Sequence, residues 1–164
     1  MKNLVEAVAA IVRLNGGEIA GKTRLQKTFY LLEAMELGFG VKFDYHRFGP
    51  YSAELIFAAE DAEALGYLTA GEYLGHHNVR HKTFVATPTA PDISDDDLVD
   101  ERRNALNAMK DHSVLQLELA ATAVYLRENG YPKDYWDVVR YRKPLKATDD
   151  QVERAESLIA ELGL

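Results

Sequence analysis

The chain has 164 residues, 47% of them apolar and 27% charged, a balance that suits one globular domain or two small ones. It has no cysteine, which excludes disulfides and thiolate metal sites, and no apolar run of membrane-spanning length. The net charge of −7 is uneven: residues 1–87 hold 9 Lys/Arg against 10 Asp/Glu, residues 88–164 hold 10 against 16, and an acidic chain does not draw in phosphate backbones over long range.

Lys2 to Asn15 carries Leu4, Ala7, Val8, Ile11 and Leu14 at helical spacing, and Gly16-Gly17 stops the run. The N-terminus has no basic segment followed by a continuous apolar one, so no secretory signal is expected and a cytoplasmic protein is. Glu18 to Ala20 reads as a short strand. Thr23 and Gln26 have capping-box spacing, predicting a second helix with Leu25, Phe29 and Leu32 on one side, stopped by Gly38. In Val41 to Phe48, Val41, Phe43 and Tyr45 alternate with Lys42, Asp44 and His46, a strand with one buried face.

Phe48-Gly49-Pro50-Tyr51 reads as a turn, and Ser52 as the N-cap of a third helix with Glu54 in its first turn. Leu55, Ala59, Ala62 and Leu65 form that helix's buried stripe, closed by Gly66. Tyr67–Leu74 and Val79–Thr87 are expected to pair as strands around a tip at Gly75–Asn78.

Thr87 to Asp92 has linker composition. Beyond it the pattern is helical. Ser94 with Asp95, Asp96 and Asp97 is expected to open a helix with Leu98, the Arg102 stem, Ala105 and Met109 inward. Ser113 and Gln116 open a helix apolar on most sides, expected at the centre. A short helix follows over Lys133–Arg140, with Tyr131, Tyr135 and Trp136 as an aromatic seal. Thr148 and Gln151 open a last helix with Val152, Ala155, Ile159 and Leu162 on its buried face.

The fold expected is mainly α with a small β-hairpin or sheet: a winged-helix-like module over 1–87 and a helical extension over 92–164. Thr23–Glu33 followed by Phe43–Leu55 resembles the YwgA-like proteins and, more distantly, the Panacea antitoxin domains, which pair an "RLQK…YLL" helix with a "GPYS.EL" turn and helix. The matched positions include Arg24, Leu25, Gln26 and Lys27 in the first part and Gly49, Pro50, Tyr51, Ser52, Glu54 and Leu55 in the second. The resemblance implies a winged-helix-like N-terminal region, a helical C-terminal region and, through Panacea, an antitoxin role with a toxin as partner.

Gly16 to Thr23 matches the phosphate-binding pattern GxxxxGK[ST], with Lys22 for the phosphates and Thr23 for magnesium. The pattern needs a buried strand before it, and the residues there have helical period. His76, His77 and His81 lack a placed third ligand, and Ser52 lacks a base, so no metal, cofactor or catalytic residue is expected. The expected function is non-enzymatic binding of a macromolecule, DNA or a protein, as a regulator or an antitoxin-like factor; the alternatives are a protein-interaction module without DNA binding and, on the phosphate-loop match alone, a nucleotide-binding enzyme. The cationic candidates for contact are Lys22, Arg24, Lys27, Arg47, Arg80 and Lys82. A winged helix would read DNA with its third helix, whose exposed positions here include Glu54, Glu60, Asp61 and Glu63, acids that repel phosphates. Such a helix suits a basic protein or a second copy of the chain, with Arg140, Arg142, Lys143 and Lys146 as the basic counterpart in a homodimer.

Overall fold

The computed structural model describes residues 3–164, so the expected start of the first helix at Lys2 lies outside the described residues, as does the His76 side chain. Helix α1 (Leu4–Leu14) is capped by Asn3, whose side chain accepts from the Glu6 N–H, and Gly16 (φ +85°) turns the chain out of it. Strand β1 (Glu18–Ala20) leads into α2 (Lys22–Ala34). This helix starts at Lys22 with Gly21 as N-cap and no side-chain cap, so the predicted Thr23–Gln26 box does not form. It also ends earlier than predicted. Glu36, not Gly38, takes the left-handed turn (φ +60°), and the Leu37 N–H returns to the Leu32 carbonyl.

The following loop is organised by Glu33, whose carboxylate accepts from the N–H groups of Phe39, Gly40 and Val41 at 2.7, 3.3 and 2.9 Å. The predicted strand 41–48 is shorter. Only β2 (Asp44–His46) is laddered, antiparallel to β3 (Gly49–Tyr51), so the expected turn at Phe48–Tyr51 is in part a strand. The alternation holds: Val41 is buried, Phe43 and Tyr45 are half-buried, and Lys42, Asp44 and His46 face outward.

Helix α3 (Ala53–Ala64) is capped by Ser52 as predicted, accepting from the Leu55 N–H, and buries Leu55, Ala59 and Ala62. Leu65, expected inside, is exposed. Strands β4 (Leu68–Leu74) and β5 (Arg80–Ala86) form the predicted hairpin. With β1 they make an antiparallel sheet of order β1-β5-β4, in which Ile19 faces Phe84 and Leu68 faces Ala86 across the ladders.

Helix α4 (Val99–Lys110) begins after the acidic run, with no side-chain cap at Leu98. More than the stem of Arg102 is buried: the side chain donates to the Leu37 carbonyl (2.8 Å), pairs with Asp96 (2.8 Å) and lies over Phe39. Helix α5 (Val114–Glu128) has the predicted Ser113–Gln116 capping box and runs through the middle, against α2, β3, α6 (Tyr135–Arg142) and α7 (Asp149–Glu161). The molecule is thus mainly helical, with one small sheet and one short hairpin. Side chains from α1 to α7 share one apolar core. No described helix is long and apolar enough to cross a membrane.

Candidate functional site

The two motifs meet, and their polar side chains are spent on each other. Gln26 is buried on α2 and opposes Ser52, donating to its carbonyl (2.7 Å) and accepting from its N–H (2.8 Å). Lys27, only 1% exposed, donates from Nζ to the Pro50 carbonyl at 2.7 Å. These bonds pair backbone groups of β3 and of the Ser52 cap that would otherwise be buried without water, which is costly. Gly49 is required there twice over: its φ is +89°, and a Cβ would run into Thr122 Oγ1 of α5. Ser52 caps α3, Tyr51 is half-buried and stacks on His46 at 4.7 Å, and Glu54 is exposed.

Behind this junction lies a charged cluster. Glu118 sits among the apolar residues of α5 and takes Lys143 (2.9 Å) and Lys146 (2.9 Å). Lys143 Nζ also donates to the Arg47 carbonyl at 3.1 Å, which ties the α6–α7 loop to the β2–β3 turn. Burial lowers the Lys27 ammonium to about 8; the Glu118 charge opposes that shift, and the positive charges of Lys143 and Lys146 add to it. Sequence reading missed Glu118. Its signal was a lone carboxylate inside an apolar helical run, a place where an acid needs a cation.

The six cationic candidates do not form one face. Lys27 is buried, which withdraws it from any contact surface. Arg24 is half-buried and donates to the His112 (2.7 Å) and Met109 (3.3 Å) carbonyls at the end of α4, a use that burial and a lowered pKa accompany. Lys22, Arg80 and Lys82 do line one groove of about 1110 Å³ between the α2 N-terminus and the β4–β5 hairpin, with Thr23, Tyr73 and His81. Within it Arg80 pairs with Glu72 (3.4 Å) and His81 stacks on Tyr73, while Lys82 pairs with Glu63 of α3 (2.5 Å). Glu63 is therefore half-buried and engaged, not part of the free acidic face of α3. Arg47 lies elsewhere, beside the α6–α7 loop.

That face of α3 carries Glu54, Phe57, Glu60, Asp61 and Leu65, all exposed, Phe57 by 63%. The spacing 54, 57, 61, 65 places an apolar pair and acids on one side of the helix. Glu18–Ala20, inside the phosphate-loop match, are laddered to Thr83–Val85, and helix α1 precedes them, so the strand–loop–helix order of a phosphate cradle is absent here.

What the fold and junction define is a small helical protein with a three-stranded antiparallel sheet, in which a two-stranded hairpin is inserted between α2 and α3 and bolted to α2. The chain is similar to the uncharacterized protein YwgA of Bacillus subtilis (strain 168), 28% identical over 150 residues and covering 90% of each chain. This similarity supports the YwgA-like relationship that the two motifs suggested. No family model matches the chain.

Proposed function

We propose that the first part of the chain is a winged-helix module and that the protein acts without chemistry of its own, by holding a protein partner on the exposed face of α3. The order α1-β1-α2-β2-β3-α3-β4-β5, with the sheet order β1-β5-β4, suits that reading once the β2–β3 hairpin is taken as an insertion between α2 and α3: α3 takes the recognition position and the β4–β5 hairpin is the wing. The helices beyond residue 92 buttress the module through α5.

The observation that carries the proposal is the composition of the α3 face, in which Glu54, Glu60 and Asp61 surround exposed Phe57 and Leu65. An apolar anchor with a charged rim is the anatomy of a protein interface. A phosphate backbone would be repelled there, and Lys27, Arg24, Arg80 and Lys82 are all occupied by partners within the fold. The partner would be basic with an apolar knob. A toxin of that character, neutralised in the cytoplasm, is what the more distant Panacea resemblance would add.

A photo-crosslinking side chain placed at Phe57, in cells making the protein, tests this. The expected product is a protein adduct that disappears when Glu60→Lys and Asp61→Lys are introduced. An adduct that nuclease removes, or one indifferent to the charge reversals, would count against the proposal.

A further inference from the structure

The basic groups near the Glu118 cluster exceed what the fold neutralises. A concavity of about 350 Å³ lies between the β2–β3 turn and the α6–α7 loop, lined by Arg47, Phe48, Arg142, Lys143, Leu145 and Lys146. The carboxylate at its back is Glu118, which both lysines share. Among the described residues, Arg47 and Arg142 pair with no carboxylate. Arg142 instead lies over the rings of Tyr45 (4.8 Å) and Tyr131 (5.9 Å), and Arg47 lies 5.6 Å from the Phe48 centroid. Four cations therefore face one acid, in a chain whose overall charge is −7. The cations are also held: Lys143 is fixed by two acceptors, Lys146 by Glu118, and Arg142 by ring faces. Like charges gathered this way repel, and a bound anion relieves that repulsion.

The apolar part of the wall narrows the ligand. Phe48 is 49% exposed with Lys146 Nζ 4.8 Å from its centroid, and Leu145 beside it is 94% exposed. Neither is needed by the core. Arginine forks match phosphate oxygens two at a time, and an exposed aromatic ring offers a stacking face to a base. The volume is that of a small-ligand pocket and leaves no length for a polypeptide groove.

We propose that this concavity binds a nucleotide unit, with the phosphates on Arg47, Arg142 and Lys146 and the base against Phe48 and Leu145. The unit could come from a free nucleotide or from an unpaired strand, which share this chemistry. The site is separate from α3 and does not depend on the protein-partner reading.

The test is titration of the whole protein, at low salt, with ADP, with inorganic pyrophosphate and with a short oligothymidylate. ADP is expected to bind more tightly than pyrophosphate. Arg47→Ala with Arg142→Ala should weaken both at least tenfold, while Phe48→Ala removes the preference for ADP over pyrophosphate. These side chains are exposed, so unaltered thermal melting of each variant confirms that it is folded. Tighter binding of the oligonucleotide assigns the site to a strand, and tighter binding of ADP assigns it to a free nucleotide. The proposal is overturned if neither ligand binds at millimolar concentration. It is equally overturned if the double arginine variant binds as well as the parent, or if Lys22→Ala, in the other groove, abolishes binding.

Discussion

Replacing Glu118 by glutamine keeps the shape of the side chain and removes its charge. In the native protein the Glu118 and Lys143 side chains are each 5% exposed and 2.9 Å apart, so the variant leaves a lysine ammonium buried without its counter-charge. Breaking a buried pair from one side costs about 3–5 kcal/mol. The glutamine amide oxygen still accepts a hydrogen bond, and Lys143 keeps the Arg47 carbonyl, which places the loss near the lower end, about 3 kcal/mol. The Lys146 arm is 39% exposed and adds only about 0–1 kcal/mol. For a chain of this size such a loss corresponds to a Tm lower by roughly 6–12 °C. Urea unfolding followed by far-ultraviolet circular dichroism gives the free energy directly, with an unchanged m-value as the check that the unfolded state is the same. Adding Lys143→Met to Glu118→Gln removes the stranded charge and should recover most of the loss. A loss under about 1 kcal/mol for Glu118→Gln, or a double variant no more stable than the single one, would mean that the Glu118–Lys143 pair does not hold the fold together.

Three further outcomes follow from the junction between α2 and β3. Burial holds Lys27 near 8 in the folded protein, below its unfolded value, so the unfolded chain binds the extra proton between those values and stability should rise as pH rises from about 8 towards 9.5. Lys27→Met should abolish that rise in urea midpoints measured across the window; above it, Tyr30, whose pKa burial raises, begins to act in the opposite direction. Gly49→Ala should destabilise by about 2 kcal/mol or more, from the left-handed backbone and the collision with Thr122, and Thr122→Ala should relieve only the collision. Gln26→Ala should cost about 2–4 kcal/mol in chemical denaturation, because both Ser52 backbone groups lose their partner in a buried setting.

Most of the fold was legible because it rests on local signals. The caps at Ser52 and Ser113, the alternation through Val41–Tyr45 and the apolar stripes of α1, α5 and α7 each come from a few neighbouring residues. The failures come from long-range use of a residue that also had a local reading. Gln26 has capping-box spacing from Thr23, but its amide satisfies Ser52, 26 residues away. Lys27 and Arg24 look like surface cations near a helix start, yet their acceptors are carbonyls of β3 and of the end of α4, which no local pattern announces. Glu36 takes the left-handed position with Gly38 two residues on, because the Glu33 carboxylate gathers the N–H groups of the next loop and draws the chain over early. The pocket beside Arg47 joins residues 96 positions apart through the Lys143 bond, so its sequence signal was only the density of Arg140, Arg142, Lys143 and Lys146. Of these, Arg140 is turned to Asp149.

The working face proposed for this protein is α3, and the ligand proposed for it is a protein. Hydrogen exchange on the protein with its crosslinked cellular partner, against the protein alone, measures this most directly. Slowed exchange is expected, confined to Ser52–Gly66 and the side of the β4–β5 hairpin next to it. Protection centred instead on Gly21–Thr23 and Arg80–Lys82, with α3 exchanging as in the free protein, would contradict it.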